Sequence, residues 1–195
     1  MIVGDPGSFA IESAITEAFP SLGQRALGYF VIHVGGNSYG ARAPDASMLA
    51  CSFDEVRERL ERRGAHQIDY LSHVSASLIV EAFLDAIYRD TGRTDYFGLS
   101  QAAFGDDVYA AEVQWAPDGD EAFDDSSYVL QFDLEDRVRL IAFRYMEDAG
   151  ETAASITEEW IASDDFYGLL SNWSGMFAQE WSDQLRQMNR ETGLH

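Results

Sequence analysis

The most regular pattern in the chain is DDFYGLLSNWSGMFAQEWSDQLRQM, residues 164–188. Its large apolar residues recur mostly at intervals of three and four: Phe166, Leu169, Leu170, Trp173, Phe177, Trp181, Leu185 and Met188. This spacing places them on one face of an α-helix. The pattern therefore predicts a long amphipathic C-terminal helix with Asp164 as its N-cap, and its tryptophans are expected to anchor it in the core.

The rest of the chain reads as strands, then helices, then strands again. Alternating or β-branched segments predict strands over 9–19, 27–34, 38–41, 109–115, 128–133 and 138–145. Residues 153–161 fit strand or helix, and we favour strand. Helices are predicted after a cap at Ser52 or Asp54, with Gly64 closing the helix, and over 75–89. Tight turns are expected at residues 35–37 and 134–137. The order predicts one α+β domain over 1–195, an antiparallel sheet with packed helices.

The charge balance is the strongest indication of function class. The 195 residues include 34 Asp and Glu, 13 Arg and no Lys, which gives a formal net charge of −21. Such a surface repels nucleic acid and anionic membranes and attracts basic partners. The composition therefore predicts a basic protein partner rather than nucleic acid or a membrane, although acidity that serves solubility alone is an alternative.

Composition also bears on location. Hydrophobic residues make up 46% of the chain, too many for a disordered protein. The first residues lack the basic and apolar regions of a signal peptide, and no segment has the length of a membrane helix. The single Cys51 cannot form an internal disulfide. We therefore expect a soluble cytoplasmic protein.

A search for catalytic or metal-binding patterns gives no specific signal. Residues 36–40, GNSYG, match G-x-S-x-G, but the segment after them does not resemble a helix and the glycines fit a hairpin. The four histidines lack zinc-ligand spacing. The acidic segment 118–125 differs from a calcium-binding EF-hand loop, because Gly119 stands at its second position and Val129 at its twelfth. A carboxylate pair for glycoside hydrolysis stays open. We predict neither catalysis nor a metal or cofactor.

Three segments resemble a family of immunity proteins from bacterial polymorphic toxin systems, the forty-second catalogued. The first and most specific is GDPGSFAIE, residues 4–12. The others are GYFVI at 28–32 with GNSYG at 36–40, and Ser52-Phe53 with RRGAH at 62–66. The resemblance implies a non-catalytic cytosolic antitoxin that binds and neutralises a cognate toxin domain, and it implies no catalytic residues. The alternative is an acidic adaptor or chaperone-like module for a secreted effector.

Acidity and the resemblance together suggest where the toxin binds. Toxins that act on nucleic acid or nucleotides commonly have a basic cleft, which an acidic inhibitor can occupy. We predict contacts through an acidic loop with two aromatic anchors: Asp118, Asp120, Glu121, Asp124, Asp125, Trp115 and Phe123.

Overall fold

The computed structural model describes residues 1–89, 91–115 and 121–191. Its strands are β1 (Ile2–Gly4), β2 (Phe9–Ala18), β3 (Ala26–Val34), β4 (Asn37–Tyr39), β5 (Ser47–Met48), β6 (Ser127–Leu134), β7 (Arg137–Arg144) and β8 (Thr157–Ala162). Its helices are α1 (Leu49–Glu61), α2 (Ala76–Tyr88), α3 (Gln101–Ala111), α4 (Ala149–Ala154) and α5 (Ser163–Glu191). Two 3-10 turns span Asp69–Leu71 and Glu121–Phe123. These elements confirm the α+β class and the antiparallel pairing.

The first sheet has the strand order β1-β2-β3-β4, and β5 also pairs with β3. Its centre is the long β2–β3 pair, which runs from Phe9 opposite Val34 to Ala18 opposite Ala26. Gly35 and Gly36 form the next turn with φ of 56° and 83°, angles that glycine adopts without steric cost. This turn joins β3 to β4 and confirms the hairpin turn that the sequence predicts at residues 35–37.

The second sheet, β6-β7-β8, lies in the middle of the molecule. One of its faces contributes Val129 and Leu140 to the first core, together with α1, α5 and the first sheet. Its other face contributes Phe132 and Phe143 to a second core with α2 and α3. Because both faces are covered, β7 is almost continuously buried, and even Arg139 lies in the interior beside the apolar run at 140–143.

Helix α5 carries the aromatic face that the sequence predicts. Trp173 is fully buried, donates from Nε1 to the Ser13 hydroxyl at 3.0 Å, and packs edge-on against Phe30. Trp181 donates to the Phe19 carbonyl at 3.0 Å, which ties the helix to the end of β2. The helix begins at Ser163, so Asp164 belongs to its first turn instead of capping it.

Several elements differ from the sequence prediction. Residues 101–111 form α3, whose N-cap Ser100 accepts a hydrogen bond from the Ala103 amide at 3.2 Å, so the predicted strand 109–115 is wrong over most of its length. Only its end is extended, with Trp115 donating to the Val129 carbonyl at 2.9 Å. Helix α1 starts at Leu49, before either predicted cap. The ambiguous 153–161 segment contains the end of α4 and most of β8.

None of the helices within residues 1–89, 91–115 and 121–191 combines the length and hydropathy that a membrane span requires.

Candidate functional site

The predicted acidic loop lies between α3 and β6, and the structure describes its second half. Asp118 and Asp120 lie outside the described residues. Glu121 and Asp124 are exposed at either end of the 3-10 turn. The turn is anchored to the rest of the domain through Ala122, which is fully buried. The Ala122 carbonyl accepts a hydrogen bond from the Ala41 amide at 2.7 Å. The two exposed carboxylates therefore stand on an anchored turn.

Asp125 is engaged within the chain. Its Oδ2 lies 3.1 Å from Arg144 Nη1, and its Oδ1 accepts hydrogen bonds from the amide and hydroxyl of Ser127. Arg144 also donates to the Ser38 carbonyl at 2.6 Å, which connects this carboxylate to β4. Asp125 thus fixes the end of the loop to the hairpin, and its charge is already compensated.

The two predicted aromatic anchors occupy different depths. Phe123 is half-buried and sits edge-on to Phe30, at 6.5 Å between ring centroids. Trp115 is only 1% exposed, and the Arg59 guanidinium stacks 4.4 Å from its ring centroid. Its Nε1 has no hydrogen-bond partner among the described residues. Phe123 is therefore the aromatic ring that the loop presents near the surface, while Trp115 supports the loop from the core.

A buried polar network lies beneath the second sheet, and sequence reasoning did not find it. Asp133 is 4% exposed and accepts hydrogen bonds from the Tyr167 hydroxyl at 2.8 Å, the Gly64 amide at 2.8 Å and the His66 amide at 3.3 Å. Gln131 donates to the same carboxylate at 3.1 Å and accepts from Arg59 Nη1 at 3.1 Å. Nearly every polar atom has a partner, so the network fixes the chain around Gly64.

The network shifts the pKa of two of its members. Burial raises the pKa of Tyr167, and the charge of Asp133 and their hydrogen bond add to that rise. Burial lowers the pKa of His66, and the positive charge of Arg59 acts in the same direction. Both groups are therefore neutral at pH 7, and neither has the shift expected of a poised base or nucleophile.

A second polar cluster lies on the face of the first sheet that points away from α5. The Glu12 carboxylate lies 3.0 Å from His33 Nε2 and 2.5 Å from Arg42 Nη2, and it accepts from the Tyr29 hydroxyl at 3.2 Å. Burial raises the pKa of Glu12, but the hydrogen bond from His33, the charge of Arg42 and the Tyr29 bond outweigh it, and the net shift is downward. His33 is thus a packed strand residue with a carboxylate partner.

These arrangements supply no catalytic or metal centre in the part of the chain that the structure describes. Ser38 lies in the β3–β4 hairpin and not on a strand-to-helix turn, so the G-x-S-x-G match has no nucleophile geometry. No group of three His, Cys, Asp or Glu side chains among those residues is arranged to hold a metal ion.

A protein family and a solved structure are similar to this chain. The model of the family described as Immunity protein 42 matches residues 1–176. Among solved structures, the crystal structure of CdiI from Burkholderia dolosa AUO158 superposes with a TM-score of 0.57 at 15% identity, over 90% of this chain and 99% of that one. At that identity the likeness concerns the fold alone. No curated protein matches the chain.

Proposed function

The chain belongs to the Immunity protein 42 family, and from that premise we propose that it is the antidote to a cognate toxin domain, which it neutralises by binding in the cytoplasm without catalysis. The family match over residues 1–176 carries this proposal. The absence of a catalytic arrangement in the described residues is compatible with a role in binding.

We further propose that the toxin has a basic cleft for nucleic acid or a nucleotide. The support is the net charge of −21, which would steer a basic domain toward the antidote and accelerate association by 10- to about 1,000-fold. The acidic loop would contribute Glu121 and Asp124, with Asp118 and Asp120 preceding them in sequence. Phe123 would pack beside them. Asp125 and Trp115 would act by holding the loop in place, since both are engaged within the chain.

Rescue of intoxicated cells tests the proposal. The C-terminal domain encoded by the reading frame immediately upstream is produced in a sensitive host with and without this protein, and the purified pair is titrated at two salt concentrations. We expect killing that this protein prevents, and a nanomolar Kd that weakens as salt rises. Binding without rescue would favour the adaptor alternative. The absence of both binding and rescue would refute the proposal that the protein is an antidote.

The same titration tests the loop. The variant Glu121→Gln/Asp124→Asn removes two exposed charges and keeps side-chain shape, and we expect its Kd to rise about tenfold or more, because close interfacial charge pairs couple by about 1.5–7 kcal/mol. A Kd within about twofold of wild type would place the contact elsewhere.

A further inference from the structure

A groove at the opposite end of the β6–β7 hairpin is a second acidic surface, distinct from the loop. Two open clefts of about 570 and 450 Å³ adjoin there and share Gln67 and Asp69 in their walls. The loop precedes Ser127 and the groove lies beyond Leu134, so the length of β6 separates the two surfaces by roughly 23 Å. A variant in one surface is therefore independent of the other.

The floor of the groove is held rigidly. The segment after α1 is joined to the hairpin by the amides of Gly64 and His66, which donate to the Asp133 carboxylate, and by the Asp133 amide, which donates to the His66 carbonyl at 2.8 Å. Arg139 donates to the Leu71 carbonyl at 3.3 Å and fixes the far end of the same segment. A surface already fixed in shape loses little conformational entropy when a partner binds.

Large aromatic side chains stand exposed at both ends of the groove. Trp160 is 37% exposed in the first cleft, and Tyr70 is 38% exposed in the second. The Trp160 ring is held by the guanidinium groups of Arg137 and Arg139, at 5.4 and 5.3 Å from its centroid. Exposed Trp and Tyr on a fixed surface are the residue types that most often dominate binding energy.

Negative charge in the groove lacks compensation from the chain itself. Asp69, Glu135 and Asp136 are exposed and form no ion pair with any residue that the structure describes. The basic side chains in the lining are His73 and Arg137. Arg137 is turned onto Trp160, where it donates to the backbone carbonyl at 2.9 Å. A cation supplied by a partner would therefore meet three free carboxylates next to an aromatic ring.

We propose that this groove is a docking site for a basic segment of the toxin, which inserts an arginine or lysine between the carboxylates of Asp69, Glu135 and Asp136 and packs its stem against Trp160. The inference rests on the proposed function. Its chemistry is that of charge complementarity at an aromatic-lined, preformed surface.

The test uses the full-length protein and the upstream-encoded C-terminal domain. In the variant Asp69→Asn/Glu135→Gln/Asp136→Asn, we expect the Kd to rise about 30-fold or more, because close interfacial charge pairs couple strongly. The dependence of Kd on salt should weaken as well, since fewer ion pairs form in the complex. The three positions are exposed, so an unchanged urea unfolding midpoint verifies that the variant folds.

The matched control carries the same change in net charge at exposed positions outside the groove, Glu17→Gln/Glu58→Gln/Glu147→Gln. We expect its Kd to rise less than about threefold, because distant exposed charges are screened by salt. If both triple variants weaken binding equally, the groove proposal is wrong and the effect comes from the overall electrostatic field of the protein. A wild-type protein that binds no toxin domain would overturn the proposed function, and that result is visible before any variant is measured.

Discussion

Replacing Asp133 by Asn tests whether the buried carboxylate holds the segment that follows α1. The side chain is 4% exposed, and one of its oxygens accepts from the amides of Gly64 and His66. The other accepts from Gln131 at 3.1 Å, and the Tyr167 hydroxyl bridges the two. Every neighbour within hydrogen-bonding distance is thus a donor. Either orientation of the Asn amide points its NH₂ group at one of them.

The magnitude follows from the hydrogen bonds that the Asn side chain weakens or loses. In the less costly orientation, the Asn oxygen still faces the Gly64 and His66 amides, so those two bonds lose only the charge of their acceptor, while the Asn NH₂ group meets the Nε2 donor of Gln131. A hydrogen bond to a charged group contributes about 1 kcal/mol more than a neutral one, and a buried donor that loses its acceptor costs about 1–3 kcal/mol. Two weakened bonds and one lost acceptor, at about 1 kcal/mol each, give an expected loss of about 3 kcal/mol in the free energy of unfolding. For a chain of this size that corresponds to a decrease in Tm of roughly 6–12 °C.

Urea unfolding gives the free energy, and an unchanged m-value would show that the unfolded state is the same. Amide hydrogen exchange at Gly64 and His66 reports directly on the segment and should accelerate. Asp136→Asn is the matched control, because it makes the same chemical change at an exposed position of the neighbouring turn and should stay within about 0.5 kcal/mol of wild type. A loss below about 1 kcal/mol, with both amides still protected, would refute the reasoning.

Two further predictions concern the same interior and the loop. Burial and then the charge of Arg59 lower the pKa of His66 in the folded state. The unfolded state therefore binds a proton that the folded state does not. The free energy of unfolding should fall with a slope of up to about 1.4 kcal/mol per pH unit as the pH drops below about 6.5. Relative to wild type, His66→Asn should therefore gain stability between pH 7 and pH 5.5 in urea unfolding, and an equal difference at both pH values would contradict this. A double-mutant cycle on Asp125→Asn and Arg144→Met should give a coupling energy of about 0.5–1 kcal/mol, because the pair is only partly exposed, and a value near zero would leave Asp125 available to the toxin.

Local patterns were sufficient to predict the elements whose own residues determine them. The α5 helix has an unbroken apolar face over seven turns, and the β3–β4 and β6–β7 hairpins combine apolar strands with turn residues. The sequence pattern did not predict helix α3, because the end of the helix and the residues after it fit the alternation of a strand, at Tyr109, Ala111, Val113 and Trp115. In the structure, burial against α2 favours the helix. Ser100, the N-cap of that helix, was the available signal.

The site was less predictable, because its pairs are distant in sequence. Arg144 compensates Asp125 from 19 residues away, and Arg59 reaches Trp115 from another element altogether. A count of acidic residues cannot separate a compensated carboxylate from a free one. The groove has the same origin: Asp69, Glu135 and Trp160 come from three separate segments that only the tertiary fold brings together.

Arginine side chains and acidic side chains have different roles in this chain. Most arginines form ion pairs with carboxylates of the same chain: Arg25, Arg42, Arg57, Arg59, Arg62, Arg63, Arg93, Arg139, Arg144 and Arg186. Several also lie against aromatic rings, a contact that the planar guanidinium makes well. Positive charge is thus committed to the fold, and the surplus of negative charge is left to the surface. The surplus acidic side chains repel one another and so destabilise the folded chain. Exposed ion pairs offset little of this loss, because each adds little stability. Under the proposed function, the benefit of the surplus charge would come from faster capture and firmer retention of a basic partner; the alternative benefit is solubility.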